Sequence, residues 1–591
     1  MKLKSLVRSA ELWLTASVLV IAVTSVALAQ SSEGMLGRVV APGNDFLRRQ
    51  AEQNREQRLD DLRDATPHGG PSIKPEQGET GASVATGPCF SISHVDVEGV
   101  TLLSKAALDP VLAPYRNKCI GLVDINVLLK DLTNLYMDAG YITSRVYVPE
   151  QDITGTKVLR LVAAEGTLSD FYLNGKPAEY PGLLATAFPG MKGRAVNIRD
   201  VEQSLDQINR LSSNNAKTSM LPGKEPGCSI LNVENKPGLP WHFSVANNNL
   251  GQKSTGYSRS SISFRMDNLV NLNDLVSLTY EHSGPDYPWP NDGVGQSNSI
   301  SGSISIPYGY WTFTLNGSYY KYRSSVPGNI EDDIKTSGDS GQLGFNVDRV
   351  ILRDQNSITT VNAGLTYKET NNFLMGNLIE VGSRQYSVAN LGLSHSRRML
   401  GGLWVFDLSY NQGLGLFGAT KRGDPGAGDA EPEFSKFTGT INVTKPFQLA
   451  SQNLQFSTLI NGQYSPGNLY GAEQISLGGY SNVRGTRDSI LFGNNGLFTR
   501  NEITWRTLPW KDSELLTKRL GEFRPYAAID YGHVFGQDRF GVKGGDVSGW
   551  TVGARLAGGN IGADIGYSRI IKATANTNSK DLFFVSTSLQ F

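Results

Sequence analysis

The sequence of 591 residues predicts a transmembrane β-barrel of 16 antiparallel strands, preceded by two small α+β domains and an N-terminal helix. Three observations predict this class. In residues 237–591, short segments alternate apolar and polar side chains. In residues 89–236, one order of strands and helices occurs twice. After Ala29, no run reaches the roughly 18 uncharged apolar residues that a membrane-spanning helix requires.

Residues 1–29 have the layout of a secretory signal. A basic opening is followed by an uncharged apolar run, which ends in small residues at Ala29. An uncleaved membrane anchor is the alternative, but small residues at the cleavage positions have no purpose in an anchor. The pattern therefore predicts cleavage between Ala29 and Gln30.

Residues 30–65 contain a polar helix. The stretch from Asn44 to Ala65 is rich in helix formers, and Asn44 is its predicted N-cap. Four charged side chains form predicted pairs one turn apart: Asp45 with Arg49, and Arg48 with Glu52. Apolar residues are too few for a continuous stripe, so the helix needs solvent or a wet, polar cavity.

Two tandem copies of one α+β unit are predicted in residues 89–166 and 167–236, after a Gly- and Pro-rich linker at residues 66–88. Each copy has the order strand, helix, helix, strand, strand. One helix in each copy has an apolar face, formed by Ile125, Leu128, Leu129, Leu132, Leu135 and Tyr136 in the first and by Val201, Leu205, Ile208 and Leu211 in the second.

Cys89 and Cys119 both lie in the first unit. In an exported chain, two cysteines that close a loop of moderate length favour a disulfide over a metal-binding pair. Cys228 has no partner and is predicted to be a small, half-buried residue.

The barrel prediction depends on segments of eight to fourteen residues in residues 237–591. In one of them, Trp311, Phe313 and Leu315 share a face, and polar residues occupy the other. A soluble sandwich with one wet face has the same alternation. Sixteen segments, polar faces rich in Ser, Thr, Asn and Gln, and aromatic residues at segment ends favour a closed membrane barrel instead.

Composition excludes several functional classes. The 55 basic and 55 acidic residues balance, so the chain offers no basic footprint for nucleic acid. The six histidines are scattered, and the sequence contains neither a phosphate-binding loop nor a nucleophile elbow. We therefore expect no enzyme activity, no cofactor and no metal.

Three stretches carry a resemblance to a known family: LTNLYMDAGYITSRVYVPEQDITGTKVLRL, LPGKEPGCSIL and SLGGYSNVRGTRDS. With two repeats before the barrel and a terminal Phe591, the mature chain resembles the outer-membrane transporters of two-partner secretion, called TpsB. These form the haemolysin and haemagglutinin activation/secretion family, within the superfamily of BamA-type insertases.

The resemblance implies a role for each part. Residues 89–166 and 167–236 are expected to be polypeptide-transport-associated (POTRA) domains in the periplasm. The polar helix, with Asn44, Arg48, Arg49 and Glu52, resembles the family's plug helix, which lies in the barrel lumen.

The resemblance also implies a loop that folds back into the lumen, here from about Ser465 to Asn494. Its motif is Val483, Arg484, Gly485 and Thr486, in which Thr486 replaces a commoner aromatic residue. The arginine is expected to pair with an acidic residue on an inward strand face. Asp530 and Gly532 supply that pattern, with Ala528 in place of the usual Phe.

The implied function is a pore in the outer membrane of a Gram-negative bacterium. It would export a large β-helical partner exoprotein of the haemolysin or adhesin type (TpsA), whose N-terminal secretion domain binds the POTRA domains. Outer-membrane lipid is the second expected partner. The alternative is a BamA- or TamA-like insertase that assembles outer-membrane proteins, but two repeats with a plug helix favour secretion.

Overall fold

The computed structural model describes residues 40–67, 89–178, 182–285, 293–326, 333–575, 577 and 580–591. The predicted signal, its cleavage site between Ala29 and Gln30, and residues 68–88 of the predicted linker lie outside the described residues. Among the described residues, no helix combines the length and the hydropathy needed to cross a bilayer.

The N-terminal helix, α1, is helical throughout residues 40–65. Asn44 therefore lies inside the helix, and its prediction as the N-cap is wrong. The helix continues further towards the N-terminus because Pro42 and Gly43 pack into buried positions, with Gly43 against Ser340 and Thr370 of the barrel wall. Tertiary packing, which a capping pattern does not report, therefore stabilises the helical turn before Asn44.

The first α+β unit has a three-stranded sheet in the order β2-β5-β4 and a separate β1-β3 pair. Its elements are β1 (Phe90–Ile92), β2 (His94–Glu98), α2 (Lys105–Leu112), a 3₁₀ turn (Ala113–Tyr115), β3 (Lys118–Ile120), α3 (Leu122–Asp138), β4 (Arg145–Tyr147), α4 (Ile153–Thr156) and β5 (Val158–Ala164). The single strand predicted at the start is divided at Ser93, because β1 pairs with β3 while β2 pairs in parallel with β5.

The second unit has a four-stranded sheet in the order β7-β6-β9-β8. Its elements are β6 (Thr167–Leu173), β7 (Lys176–Pro177), α5 (Gly182–Ala187), α6 (Ile198–Asn209), β8 (Lys217–Pro222) and β9 (Cys228–Glu234). In both units the first long strand runs parallel to the last, and an antiparallel strand covers the other side of the last. The tandem copies thus share one topology.

Sixteen long antiparallel strands of the described residues close into a barrel, in which the first pairs with the last. They are β10 (Trp241–Asn248), β11 (Ser258–Asp267), β12 (Leu275–Gly284), β13 (Gln296–Tyr308), β14 (Trp311–Val326), β15 (Ile334–Arg353), β16 (Ser357–Leu374), β18 (Arg384–Met399), β19 (Gly402–Leu414), β20 (Ser435–Leu449), β21 (Gln452–Tyr464), β24 (Gly496–Trp505), β25 (Glu522–Val534), β26 (Gly545–Ala557), β27 (Ile561–Ala573) and β28 (Asp581–Gln590). The predicted barrel of 16 strands is confirmed.

Shorter elements lie in the connections between these strands. They are β17 (Asn377–Leu378), β22 (Ile475–Leu477), β23 (Leu491–Gly493), α7 (Glu514–Leu520) and 3₁₀ turns at Glu380–Gly382, Pro425–Ala427 and Asp538–Phe540.

Side chains alternate between the two faces of the barrel wall. On β25, Ile529 and Tyr531 are 61% and 42% exposed on the outside, while Asp530 between them is fully buried inside. Some strands exceed the predicted length, and β15 reaches 20 residues. In β15 the polar residues IKTSGDSG occupy the first eight positions, at the end opposite Arg353, where a strand beyond the apolar band can continue with polar residues.

The second α+β unit is docked against the turns at one end of the barrel. Arg353 donates from Nη2 to Asp206 Oδ2 at 2.6 Å, and the hydroxyl of Tyr310 donates to Asp200 Oδ1 at 2.6 Å. Both acids lie on α6. These contacts identify the end of the barrel that adjoins the α+β units, so the loop between β21 and β24 emerges at the opposite end.

A disulfide joins Cys89 to Cys119 across a sequence separation of 30 residues. We expect Cys89→Ser/Cys119→Ser to lower the unfolding free energy of the first unit by about 3–4 kcal/mol. A disulfide that closes a loop of this length restricts the unfolded chain, and the double variant loses that restriction. Amide hydrogen exchange of β1, β3 and α3 in the full chain measures the loss. Cys228→Ser, which removes a cysteine outside the disulfide, is the control; equal protection in both variants would contradict the expectation.

Candidate functional site: the barrel interior

The connection between β21 and β24 folds back into the barrel. Within it, β22 and β23 form a short antiparallel pair. Leu477 and Val483 are fully buried and pack with Val534 and Val547 of the barrel strands. This loop, residues 465–495, therefore packs apolar side chains against the wall formed by β24, β25 and β26.

Arg484 at the loop tip forms a two-point ion pair with Asp530 on β25. Its Nε donates to Asp530 Oδ2 at 2.7 Å, and its Nη2 donates to Asp530 Oδ1 at 2.9 Å. Its backbone N–H donates to the same Oδ2 at 3.1 Å. Both side chains are only 1% exposed, and the planar guanidinium matches the carboxylate in a way that an ammonium group would not.

The residues around Arg484 let the loop backbone approach the wall closely. Gly485 has a φ of +132°, and a Cβ there would lie 2.9 Å from the backbone nitrogen of Ile570. A Cβ on Gly532 would lie 2.6 Å from Leu477, so this position must also be small. Thr486 closes the turn, since its hydroxyl accepts from the Gly479 N–H at 3.0 Å.

The ion pair extends into a network that the sequence analysis missed. Arg484 Nη1 donates to Glu502 Oε2 of β24 at 2.8 Å. Glu502 also accepts from Arg555 of β26, and Arg555 Nε donates to Asp564 of β27 at 3.0 Å. Asp564 in turn accepts from the hydroxyl of Tyr480 in the loop at 2.7 Å. The inward position of Glu502, next to outward Ile503, is the sequence signal that could have revealed it.

Helix α1 runs along the lumen from one mouth to the other. Val40 lies against Gly382, beyond the end of β16 that is farther from the α+β units. At the other end, Arg398 Nε, near the last residue of β18, donates to the carbonyl of Pro67 at 2.8 Å. Residues 40–65 correspond to about 39 Å at 1.5 Å per residue, which exceeds the roughly 30 Å of a bilayer core.

The predicted plug residues contact the loop and the wall. Near one end of the loop, Asn44 lies beside Gly471, and Arg48 donates to the Gly471 carbonyl. Near its tip, Glu52 accepts from Ser481 and, at 3.3 Å, from Asn482 Nδ2.

The charges of the helix pair differently from the prediction. Arg48 pairs with Asp45 rather than with Glu52, which turns to the loop. Arg49 lies near the ion pair of Arg259 and Glu281 on the wall. Charged pairs one turn apart do form in this helix, between Asp45 and Arg48 and between Asp60 and Arg63, but neither predicted pair is among them, because the lumen offers partners outside the helix.

Further polar and aromatic contacts seat α1 on the opposite wall. Arg58 Nε donates to Asp407 Oδ2 at 2.9 Å, and its Nη1 donates to Asp348 Oδ1 at 3.2 Å. The ring of Phe46 stacks on Tyr320 with centroids 4.4 Å apart. These contacts connect the helix to β14, β15 and β19, and none of their partners was predicted from the sequence.

In the part of the chain that the structure describes, no group of three or more His, Cys, Asp or Glu side chains is arranged to hold a metal ion.

The first test of the loop anchor is Arg484→Ala in detergent-solubilised protein. Because Asp530 would keep a buried, unpaired charge, docking of the loop should weaken by about 3–5 kcal/mol. Amide exchange of residues 475–493 should accelerate accordingly. Arg484→Ala/Asp530→Ala should be no worse than either single variant, since the two side chains act as a pair. Arg422→Ala removes an arginine whose side chain is 84% exposed and is the control. Unchanged exchange in Arg484→Ala would contradict the anchor.

Comparison with known proteins identifies the family. A protein-family model described as haemolysin secretion/activation protein ShlB/FhaC/HecB matches residues 227–556. A ShlB-type POTRA model matches residues 90–166, and a second POTRA model matches residues 167–222.

Relatives match over most of the chain. The outer membrane transporter CdiB of Dickeya dadantii is 33% identical over 473 residues, 80% of this chain and 81% of the relative. The hemolysin transporter ShlB of Serratia marcescens is 31% identical over 82% of this chain and 81% of its own length. The structure of CdiB from Escherichia coli superposes with a TM-score of 0.81 at 28% identity, covering 92% of this chain and 99% of that one. The chain therefore belongs to the ShlB/FhaC/HecB family: it is a TpsB transporter of two-partner secretion, which lies in the outer membrane with its POTRA domains in the periplasm.

Proposed function

We propose that this transporter recognises the N-terminal secretion domain of a β-helical exoprotein with its POTRA domains and passes the unfolded chain through the barrel lumen. The proposal is based on the two elements that the barrel lumen contains. A closed barrel holds a helix and a loop, and ion pairs and hydrogen bonds connect each of them to the wall and the helix to the loop. Water can replace such contacts when the two elements move, so the same interior can be closed or conducting.

An apolar surface on the first POTRA domain supports recognition. Leu122, Val123 and Val127 are 70%, 51% and 45% exposed on α3. They lie on the side of the helix opposite Ile125 and Leu128, which are buried in the domain core. The strand at the nearby sheet edge, β4, carries Tyr147, which is 49% exposed. An extended peptide could pair with such an edge while its side chains cover the apolar residues.

The outer face of the barrel would contact lipid. Trp241, Trp311 and Trp505 are half-exposed at strand ends, where interfacial aromatic residues anchor a barrel. Transport would need no catalytic step by this chain, because folding of the exoprotein outside the cell can bias the direction of transit.

The test is export of the exoprotein by cells that produce both proteins. With the wild-type transporter, the exoprotein should appear in the medium; with Leu122→Asp/Val127→Asp, it should remain in the periplasm. Charges on this face would disfavour burial of an apolar partner segment, and export should fall roughly tenfold or more.

Val381→Asp is the matched control, because Val381 is 50% exposed at the opposite end of the molecule. Wild-type export from the α3 variant would defeat recognition at this surface. If this chain were instead an insertase, cells that lack it would contain lower amounts of other outer-membrane proteins, while the exoprotein would still leave the cell.

A further inference from the structure

The loop has a second charged contact, at Glu473, on the wall away from Arg484. Glu473 Oε1 accepts from Lys368 Nζ of β16 at 2.5 Å, and Oε2 accepts from Lys436 Nζ of β20 at 2.5 Å. The hydroxyl of Tyr386 on β18 donates to Oε1 at 3.0 Å. The Glu473 side chain is 4% exposed, and those of the two lysines are 12% and 11% exposed. One carboxylate thus binds three strands together.

Glu473 directly follows the part of the loop on which the helix rests. Arg48 donates to the Gly471 carbonyl, and Ala472 packs in one buried cluster with Phe46 and Leu47. Arg48 also lies over the ring of Phe492, 4.4 Å from its centroid. Two of the contacts between α1 and the loop adjoin charged anchors of the loop. One lies next to Glu473, and the other, where Glu52 is bound by Ser481 and Asn482, lies next to Arg484.

We infer that Glu473 is a second latch, which holds the helix-bearing part of the loop against β16, β18 and β20 and must open before α1 leaves the lumen. The inference rests on the proposed role of α1 as the plug. The charges around Glu473 also favour return of the loop to its place after the latch has opened. When Glu473 leaves, Lys368 and Lys436 face each other without a counter-charge, so they attract the loop back.

The experiment measures the conductance of the purified full-length protein in planar lipid bilayers. Glu473→Gln keeps the side-chain size and removes the charge. Because one partner of a buried ionic cluster is lost, we expect the fraction of time spent in open states to rise at least about tenfold. Glu433→Gln is the matched control, since Glu433 is exposed in the connection between β19 and β20. Folding of each variant is checked by its heat-dependent mobility on a gel.

A charge swap separates a direct latch from general loosening. Glu473→Lys places three positive side chains together and should open the pore further. Glu473→Lys/Lys436→Glu restores one acid and two bases to the cluster, with the charges of positions 473 and 436 exchanged, and should return the open fraction towards that of the wild type. If the swap stays as open as Glu473→Lys, the latch is overturned, because only a direct interaction predicts rescue.

Deletion of residues 44–65 is the reference that distinguishes this inference from the proposal on which it depends. If the deletion raises conductance but Glu473→Gln does not, the latch is wrong and the plug stands. If neither raises conductance, the plug itself is wrong. If both do and the swap rescues, Glu473 is established as the second latch.

Discussion

The buried pairing of Arg484 with Asp530 fixes the loop inside the barrel, and under the proposed function the closed state of this transporter depends on it. Arg484 reaches strands β24 and β25 at once and continues through Glu502 to Arg555. A closed barrel has no core of its own, so a loop inside it must be fixed by contacts with the wall. An arginine with several donors can satisfy two buried carboxylates from one position. Helix α1, the other element in the lumen, then contacts the loop that this side chain fixes.

Helix α1, the proposed plug, is also held by ion pairs and hydrogen bonds with the wall, but its side chains are less buried. Its arginines contact Asp348, Asp407 and Asn442 on the wall. Two small apolar clusters add to these contacts, one at Phe46 and Leu47 and the other at Leu59 and Leu62. A helix with a continuous apolar stripe would bind the lumen more permanently, because apolar surface released into a wet pore is unfavourable. Polar contacts exchange with water at a smaller net cost. The composition of α1 therefore suits an element that has to be both seated and removable.

Residue patterns predicted the architecture well, because the alternation of apolar and polar side chains follows from strand geometry itself. The resemblance pointed to Arg484 and Asp530 through a motif of residue types. Glu502, Arg555 and the partners of Arg58 were missed, since their contacts join strands that are far apart in the chain. The N-cap at Asn44 was wrong for a related reason: packing of Pro42 and Gly43 against the wall extends α1 beyond the capping signal. Long-range contacts, rather than local propensity, determine these details.

The central claim is that α1 must leave its place on the loop before an exoprotein can pass. A reversible covalent lock tests it most directly, using Asn44→Cys/Gly471→Cys in a Cys228→Ser background. A Cβ on Gly471 would lie 3.5 Å from Asn44 Cγ, within reach of a disulfide. Export should stop when the cross-link is formed and, when a reductant opens it, return to the rate of the Cys228→Ser parent given the same treatments, because the Cys89–Cys119 disulfide of both proteins meets the reductant equally. Export at the parental rate by protein shown on a gel to be fully cross-linked would contradict the account.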